Sequence, residues 1–111
     1  MNIDQIIPII RDARAIRRKV DRCLRAYALS LNEFELLYIL NIDKEITPTA
    51  ISKLMGQSTP TVSRILTGLS EKGLIIMGLS HEDRRRVSVM LSQHGHELYV
   101  ASGKKLSLLL V

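Results

Sequence analysis

The 111-residue chain carries 16 Lys+Arg against 11 Asp+Glu, for a formal net charge of +5, with 46% hydrophobic and 24% charged residues. That length holds one domain, since a second core would have too little chain, and it can bury a core without disulfides or metal. The ordinary composition excludes collagen and disorder. A single cysteine cannot pair internally and points to a reducing compartment, so the cytoplasm is the expected location. No apolar run approaches the roughly 18 residues of a membrane span, and Met1-Asn2-Ile3-Asp4 does not open a secretory signal, so no membrane partner is expected.

Residues 1–25 hold seven basic and three acidic residues, most of the net positive charge. Projected at about 100° per residue, Arg11, Arg14, Arg18, Arg22 and Arg25 fall on one narrow stripe. Ile6, Ile10, Ala13, Ile16, Val20, Cys23, Leu24 and Tyr27 lie opposite. The pattern predicts one amphipathic helix from residue 3 to about 28, with Pro8 tolerable near its start. Its basic stripe is either a solvated face or a surface facing phosphate. An anionic-membrane helix is disfavoured, because the apolar side lacks Trp and Phe.

Ser30-Leu31-Asn32-Glu33 has capping-box spacing, and Phe34, Leu37, Tyr38 and Leu40 continue a helix to about Asn41. Thr47-Pro48 starts a short helix that turns Ile51, Leu54 and Met55 inward and stops at Gly56. A second cap-plus-proline start, Thr59-Pro60, follows two residues later, and its helix runs to Lys72 with Gly73 as a left-handed stop. Two short helices joined by a tight Gly-containing turn form a helix-turn-helix signature. Val62, Ile65, Leu66 and Leu69 make the buried side of the second helix. Thr61, Ser63, Arg64 and Thr67 gather polar groups towards its first two turns, where a recognition helix meets base edges and phosphates.

Leu74-Ile75-Ile76-Met77 predicts a short strand. Val87, Val89 and Leu91 alternate with Arg86, Ser88 and Met90 as a half-buried second strand. Between them Gly78–Arg85 is too long for a tight turn, and its end is cationic. A hairpin directly after the recognition helix is a wing. Its arginines suit a narrow minor groove, where negative potential concentrates and a permanently charged guanidinium forks to acceptors. From Ser92 as cap, His94 to about Leu110 reads as a last helix. The predicted fold is therefore mainly α with a small β-hairpin wing: one domain over 1–111. It divides into an N-terminal helix over 1–28, a winged helix-turn-helix over 30–91 with its wing at 74–91, and a C-terminal helix over 92–111.

With these elements placed, the chain resembles the MarR family of bacterial winged-helix transcription regulators over residues 30–98. The residues that carry the resemblance are Thr61-Val62-Ser63-Arg64-Ile65-Leu66, Glu71-Lys72-Gly73-Leu74-Ile75, and a wing in which Asp83-Arg84-Arg85, five residues, then Leu91-Ser92 follow the family's D-x-R-x5-L-T pattern with Ser for Thr. The resemblance implies a homodimer whose N- and C-terminal helices intertwine above two winged lobes. It further implies a recognition helix in each major groove, a wing in each minor groove, and repression by occupancy of a palindromic operator on double-stranded DNA. The DNA-contacting set is Ser58, Thr59, Thr61, Ser63 and Arg64 with Asp83, Arg84, Arg85 and Arg86. In it Arg85 enters the minor groove and Asp83 holds the arginines by salt bridging.

The dimerisation set is Ile6, Ile10, Ile16, Val20, Leu106, Leu109 and Leu110. Two departures stand out: Met77 occupies a position where the family commonly has Arg, and the family's further C-terminal helix is absent or cut away. Many members of the family bind a small phenolic or lipophilic effector, but nothing local identifies one here.

Cys23 on the apolar face reads as a small core residue, with redox sensing as its functional alternative. His94 and His96 point to different helix faces, so no metal site is expected. Nor is an enzyme or cofactor expected, as no G-x-S-x-G, Walker, H-E-x-x-H or Rossmann motif is present. The rival to a DNA regulator is a winged-helix protein–protein module, or an antagonist that heterodimerises with a full-length regulator.

Overall fold

Described over residues 1–109 by a computed structural model, the chain runs α1–α2–α3–α4–β1–β2–α5. The expected positions Leu110 and Val111 lie outside the described residues. Helix α1 (Ile3–Arg25) is opened by Asn2, whose side chain accepts the Gln5 N–H at 3.0 Å while Gln5 Oε1 accepts the Asn2 N–H at 3.0 Å. Asn2 with Gln5 is thus a reciprocal capping box that the spacing of Ser, Thr and Glu does not announce. Helix α1 also stops short of the predicted residue 28. Ala28 turns left-handed (φ 54), and the N–H groups of Ala28 and Leu29 bond back to the carbonyls of Arg25 (3.0 Å) and Leu24 (3.1 Å).

The same closure ends α3 (Pro48–Met55) at Gly56 (φ 63) and α4 (Thr59–Glu71) at Gly73 (φ 72), where the N–H groups of Gln57 and Leu74 reach the carbonyls of Ser52 and Leu69. Glycine is the residue suited to that conformation. Alanine adopts it at 28 at a cost of roughly 1–2 kcal/mol.

Helix α2 (Leu31–Ile42) begins with the predicted box: the Glu33 N–H donates to Ser30 Oγ at 3.1 Å, and the Ser30 N–H donates to Glu33 Oε1 at 3.0 Å. It is the central element. Leu36, Leu37, Ile39 and Leu40 are all buried, and α1, α3, α4, α5 and β2 pack around it. Thr47 caps α3 as predicted, taking the Ala50 N–H on Oγ1 at 3.2 Å with Pro48 as the first helical residue. In α4 the cap is Ser58, not Thr59. The Ser58 backbone is extended and its Oγ accepts the Thr61 N–H at 3.3 Å, which makes Thr59 the first helical residue and Pro60 the second.

Strands β1 (Ile75–Leu79) and β2 (Val87–Leu91) pair antiparallel from Ile75–Leu91 to Leu79–Val87. The hairpin thus starts one residue later than predicted and runs two residues further, leaving a seven-residue tip at 80–86. Predicted alternation in β2 fails. Ser88 and Val89 are buried whereas Val87 is exposed, because Ile46 forms a third, one-residue rung against Val89 and the chain around it covers Ser88. Helix α5 (Gln93–Leu109) is capped by Ser92 as predicted, with the Gly95 N–H donating to Ser92 Oγ at 2.9 Å. The core is aliphatic: Leu24, Leu36, Leu37, Leu40, Ile51, Val62, Leu69, Leu74 and Val89 are essentially inaccessible. At its margin Phe34 and Tyr99 stack with ring centroids 5.4 Å apart.

Candidate nucleic-acid interface

Helix α4 buries Val62, Leu66 and Leu69 along one side, so the opposite side of its first turns is left to polar residues. Thr59, Ser63, Arg64 and Thr67 are exposed and Thr61 half-buried. A run of hydrogen bonds orders that edge. Ser58 Oγ lies 2.9 Å from Thr61 Oγ1, and Thr61 Oγ1 in turn accepts from Arg64 Nη2 at 3.5 Å. Thr67 is partly occupied elsewhere, as its hydroxyl donates to the Ser63 carbonyl at 3.0 Å. The sequence-predicted residues of the recognition helix therefore do share one outward face, with the arginine aligned by the cap.

At the wing tip one carboxylate organises two guanidinium groups. Asp83 Oδ1 accepts both the Arg85 N–H (3.0 Å) and Arg85 Nε (3.1 Å), and Oδ2 is 3.6 Å from Arg86 Nε. The Arg85 N–H and side chain, with the positive charge of Arg86, hold the Asp83 carboxyl below its ordinary value of 3.8. The carboxylate therefore stays ionised, and the Arg85 side chain remains 91% exposed. Arg84 makes no ion pair among the described residues. Met77 is exposed on β1, paired across the hairpin with Val89.

Three contributors escape sequence reasoning. Glu45, in the connection between α2 and α3, accepts the His81 N–H at 2.9 Å and sits 3.1 Å from His81 Nδ1. The His81 backbone and imidazole hydrogen bonds pull the Glu45 carboxyl down to about 2. Lys72, at the end of α4, places its ammonium on the Ala28 carbonyl (2.6 Å) and on both Glu33 oxygens (3.0 and 2.9 Å). Each pair is separated by 36 or more residues, and no local pattern announces it.

The first fourteen residues of α1's region are solvent-exposed on every side, Ile6 and Ile10 included, as are Ile16 further along and Leu109 at the end of α5. Val20 and Leu106, expected in the same dimerising set, are instead buried inside this chain's own core at 9% and 8% exposure, leaving little surface for a partner. Leu110 lies outside the described residues. Cys23 is also buried, at the floor of a cavity of about 470 Å³ between α1 and α5 rimmed by Lys19, Arg22 and Lys105. Of α1's basic residues only Arg17 pairs with an acid among the described residues (Asp21, 4.0 Å). Among the described residues no His, Cys, Asp or Glu cluster of three is grouped for a metal ion, and no helix is long and apolar enough to cross a membrane.

The profile of the MarR family matches residues 29–87. An uncharacterised HTH-type transcriptional regulator of Bacillus subtilis (strain 168), YwaE, is 30% identical over 90 residues, which is 80% of this chain and 53% of that protein. The chain thus spans about half the length of that curated relative. The transcriptional regulator BldR of Sulfolobus solfataricus superposes with a TM-score of 0.86 at 17% identity, covering 97% of this chain and 78% of BldR. A mutant of S. aureus MepR bound to an oligodeoxyribonucleotide superposes with a TM-score of 0.78 at 22% identity, covering 98% and 79%.

Proposed function

The chain belongs to the MarR family, and from that premise we propose that it is a sequence-specific double-stranded DNA-binding transcription regulator, acting as a homodimer that represses by occupying a palindromic operator. The observation that carries the reading is the wing tip. An ionised Asp83 holds the Arg85 and Arg86 guanidiniums at the end of a hairpin, exposed and pre-aligned for acceptors in a groove. Helix α4 complements it. Ser58, Thr59, Thr61, Ser63 and Arg64 offer hydroxyls and one guanidinium at the helix start, suited to base edges and phosphates of the major groove. Arg84, which makes no ion pair among the described residues, adds a cation for the flanking backbone.

The domain plan in this reading has a winged unit over 30–91 and dimerisation helices over 1–28 and 92–111. The exposed isoleucines in the first half of α1, together with Leu108 and Leu109, support it, since an isolated subunit is left with a large unburied apolar surface. A twofold dimer places the two α4 helices about one duplex turn apart. The setting is cytoplasmic. Any effector has its best seat in the α1–α5 cavity, whose three cations suit a small organic anion. Burial of Cys23 at its floor favours packing over oxidant sensing.

The test is fluorescence anisotropy with a duplex from upstream of the protein's own gene against a random duplex, across a salt series. Tight, salt-steep binding with a wide gap between the two duplexes is expected. Arg85→Ala should weaken binding by about 1–3 kcal/mol and lower the salt slope by about one. Equal, weak binding to both duplexes would move the chain towards the protein–protein reading.

A further inference from the structure

Beyond the Leu79–Val87 pair the wing tip has no strand partner among the described residues, yet it is gripped from outside at one place. The connection between α2 and α3 climbs the outer edge of β2. Ile46 exchanges backbone bonds with Val89 (N–H to carbonyl, 3.3 and 2.8 Å), and the preceding residue, Glu45, reaches the tip. One Glu45 oxygen takes the His81 N–H and the other faces His81 Nδ1. From His81 the restraint passes along a short bonded path. The neighbouring Ser80 Oγ accepts the N–H groups of Glu82 (3.2 Å) and Asp83 (3.4 Å), the Ser80 N–H donates to the Arg86 carbonyl (2.9 Å), and Asp83 holds both arginines.

We propose that Glu45 is a positioning residue for the wing, and that its pair with His81 makes the placement of Arg85 and Arg86 depend on the protonation of His81. The use assigned to the pair rests on the DNA-binding function proposed above. The two halves of the contact behave differently. The backbone N–H bond persists whatever the imidazole charge, whereas the contact at Nδ1 becomes an ion pair only when the ring is protonated. Histidine is the side chain that changes charge near physiological pH. The charged groups beside the pair are Glu82, Asp83 and Arg86 of the wing, which line one small cavity with Glu45, while the His81 side chain stands 80% exposed. Arg86 is itself engaged by Asp83. Tightening a seven-residue tip raises the fraction of wings ready to bind, and apparent affinity scales with that fraction.

The experiment has two arms. Amide hydrogen exchange on the free full-length protein reads the latch without DNA. Anisotropy with the upstream duplex, from about pH 6 to about pH 8, reads its use. The Glu45→Gln variant keeps an acceptor for the His81 N–H but loses the charge. It should speed exchange over residues 80–86 near pH 6 and flatten the pH profile, whereas the wild-type Kd should rise about two- to fivefold across the range, the worth of an exposed ion pair. Combining it with His81→Gln should add nothing further. Unchanged exchange in Glu45→Gln overturns the latch. An equal pH slope in wild type and Glu45→Gln means that His81 acts on DNA directly, and also overturns the proposal. A faster-exchanging wing in a protein that binds no duplex overturns the DNA reading and, with it, the use assigned to Glu45.

Discussion

Gly95→Ala should destabilise the fold although alanine is the better helix former. Gly95 sits in the first turn of α5, where the helix crosses the chain leaving α4. A Cβ there would overlap the Leu74 carbonyl oxygen and lie 2.9 Å from its carbonyl carbon and 3.2 Å from its Cα. These are backbone atoms with no rotamer to swing aside, so the start of α5 must lift. Three hydrogen bonds hold that junction: the Ser92 N–H to the Leu74 carbonyl (3.1 Å), Ser92 Oγ to the Gly73 carbonyl (2.6 Å), and the Gly95 N–H to Ser92 Oγ (2.9 Å). At about 1 kcal/mol net each, their loss costs about 3 kcal/mol, and the helix preference of alanine returns about 1 kcal/mol. Net destabilisation should be about 2 kcal/mol. In urea, followed by far-UV circular dichroism at one fixed protein concentration, the midpoint should fall by roughly 1–2 M. A midpoint equal to or above wild type would refute the crossing geometry.

Ala28→Gly should act in the opposite direction, stabilising by about 1 kcal/mol as it relieves a left-handed alanine; an unmoved urea midpoint would contradict that backbone assignment. Ile10→Glu, on the exposed apolar side of α1, should weaken self-association at least about tenfold in sedimentation equilibrium, and a dimer of unaltered affinity would remove α1 from the interface. Acid should unlatch the wing. Glu45 is held at about 2 against an ordinary 4.5, and Asp83 is also lowered. Both therefore contribute fully above the ordinary carboxylate range and lose that contribution as the pH falls from that range through their lowered values. Wing amides as protected at about pH 2.5 as at about pH 6 would contradict the sign.

What the sequence discloses about this protein is what its chemistry settles within a few residues. Ser30 with Glu33, Thr47 before Pro48, and the stops at Gly56 and Gly73 are all local, and each is found where spacing predicts it. Ser58 and Thr59 expose the limit of that logic: both hydroxyls can cap, proline is tolerated at the first or second helical position, and only the fold chooses. Burial in β2 depends on Ile46, forty-odd residues away, so alternation alone mispredicts Val87 and Ser88. An apolar stripe likewise does not say which body covers it. Ile6 and Val20 share one face of α1, yet Val20 belongs to this chain's core while Ile6 stays bare. At the candidate interface the arginines and hydroxyls are legible because their type and spacing carry the chemistry. Glu45, His81 and Lys72 are ordinary surface residues until folding brings their partners near.

Lys72 turns α4 into a lever. Its ammonium is seated on the corner between α1 and α2, against the Ala28 carbonyl and the Glu33 carboxylate, so the far end of α4 is bolted to that corner. Thirteen residues separate the two ends of the helix, an arm of roughly 20 Å at 1.5 Å per residue. A tilt of about 3° at the corner therefore displaces Ser58 by about 1 Å, a third of a hydrogen-bond length. Tyr27, the residue before the bolt, lines the α1–α5 cavity. A molecule crowding that cavity would push on the short end of the lever, and the Ser58 end of α4 would move the furthest.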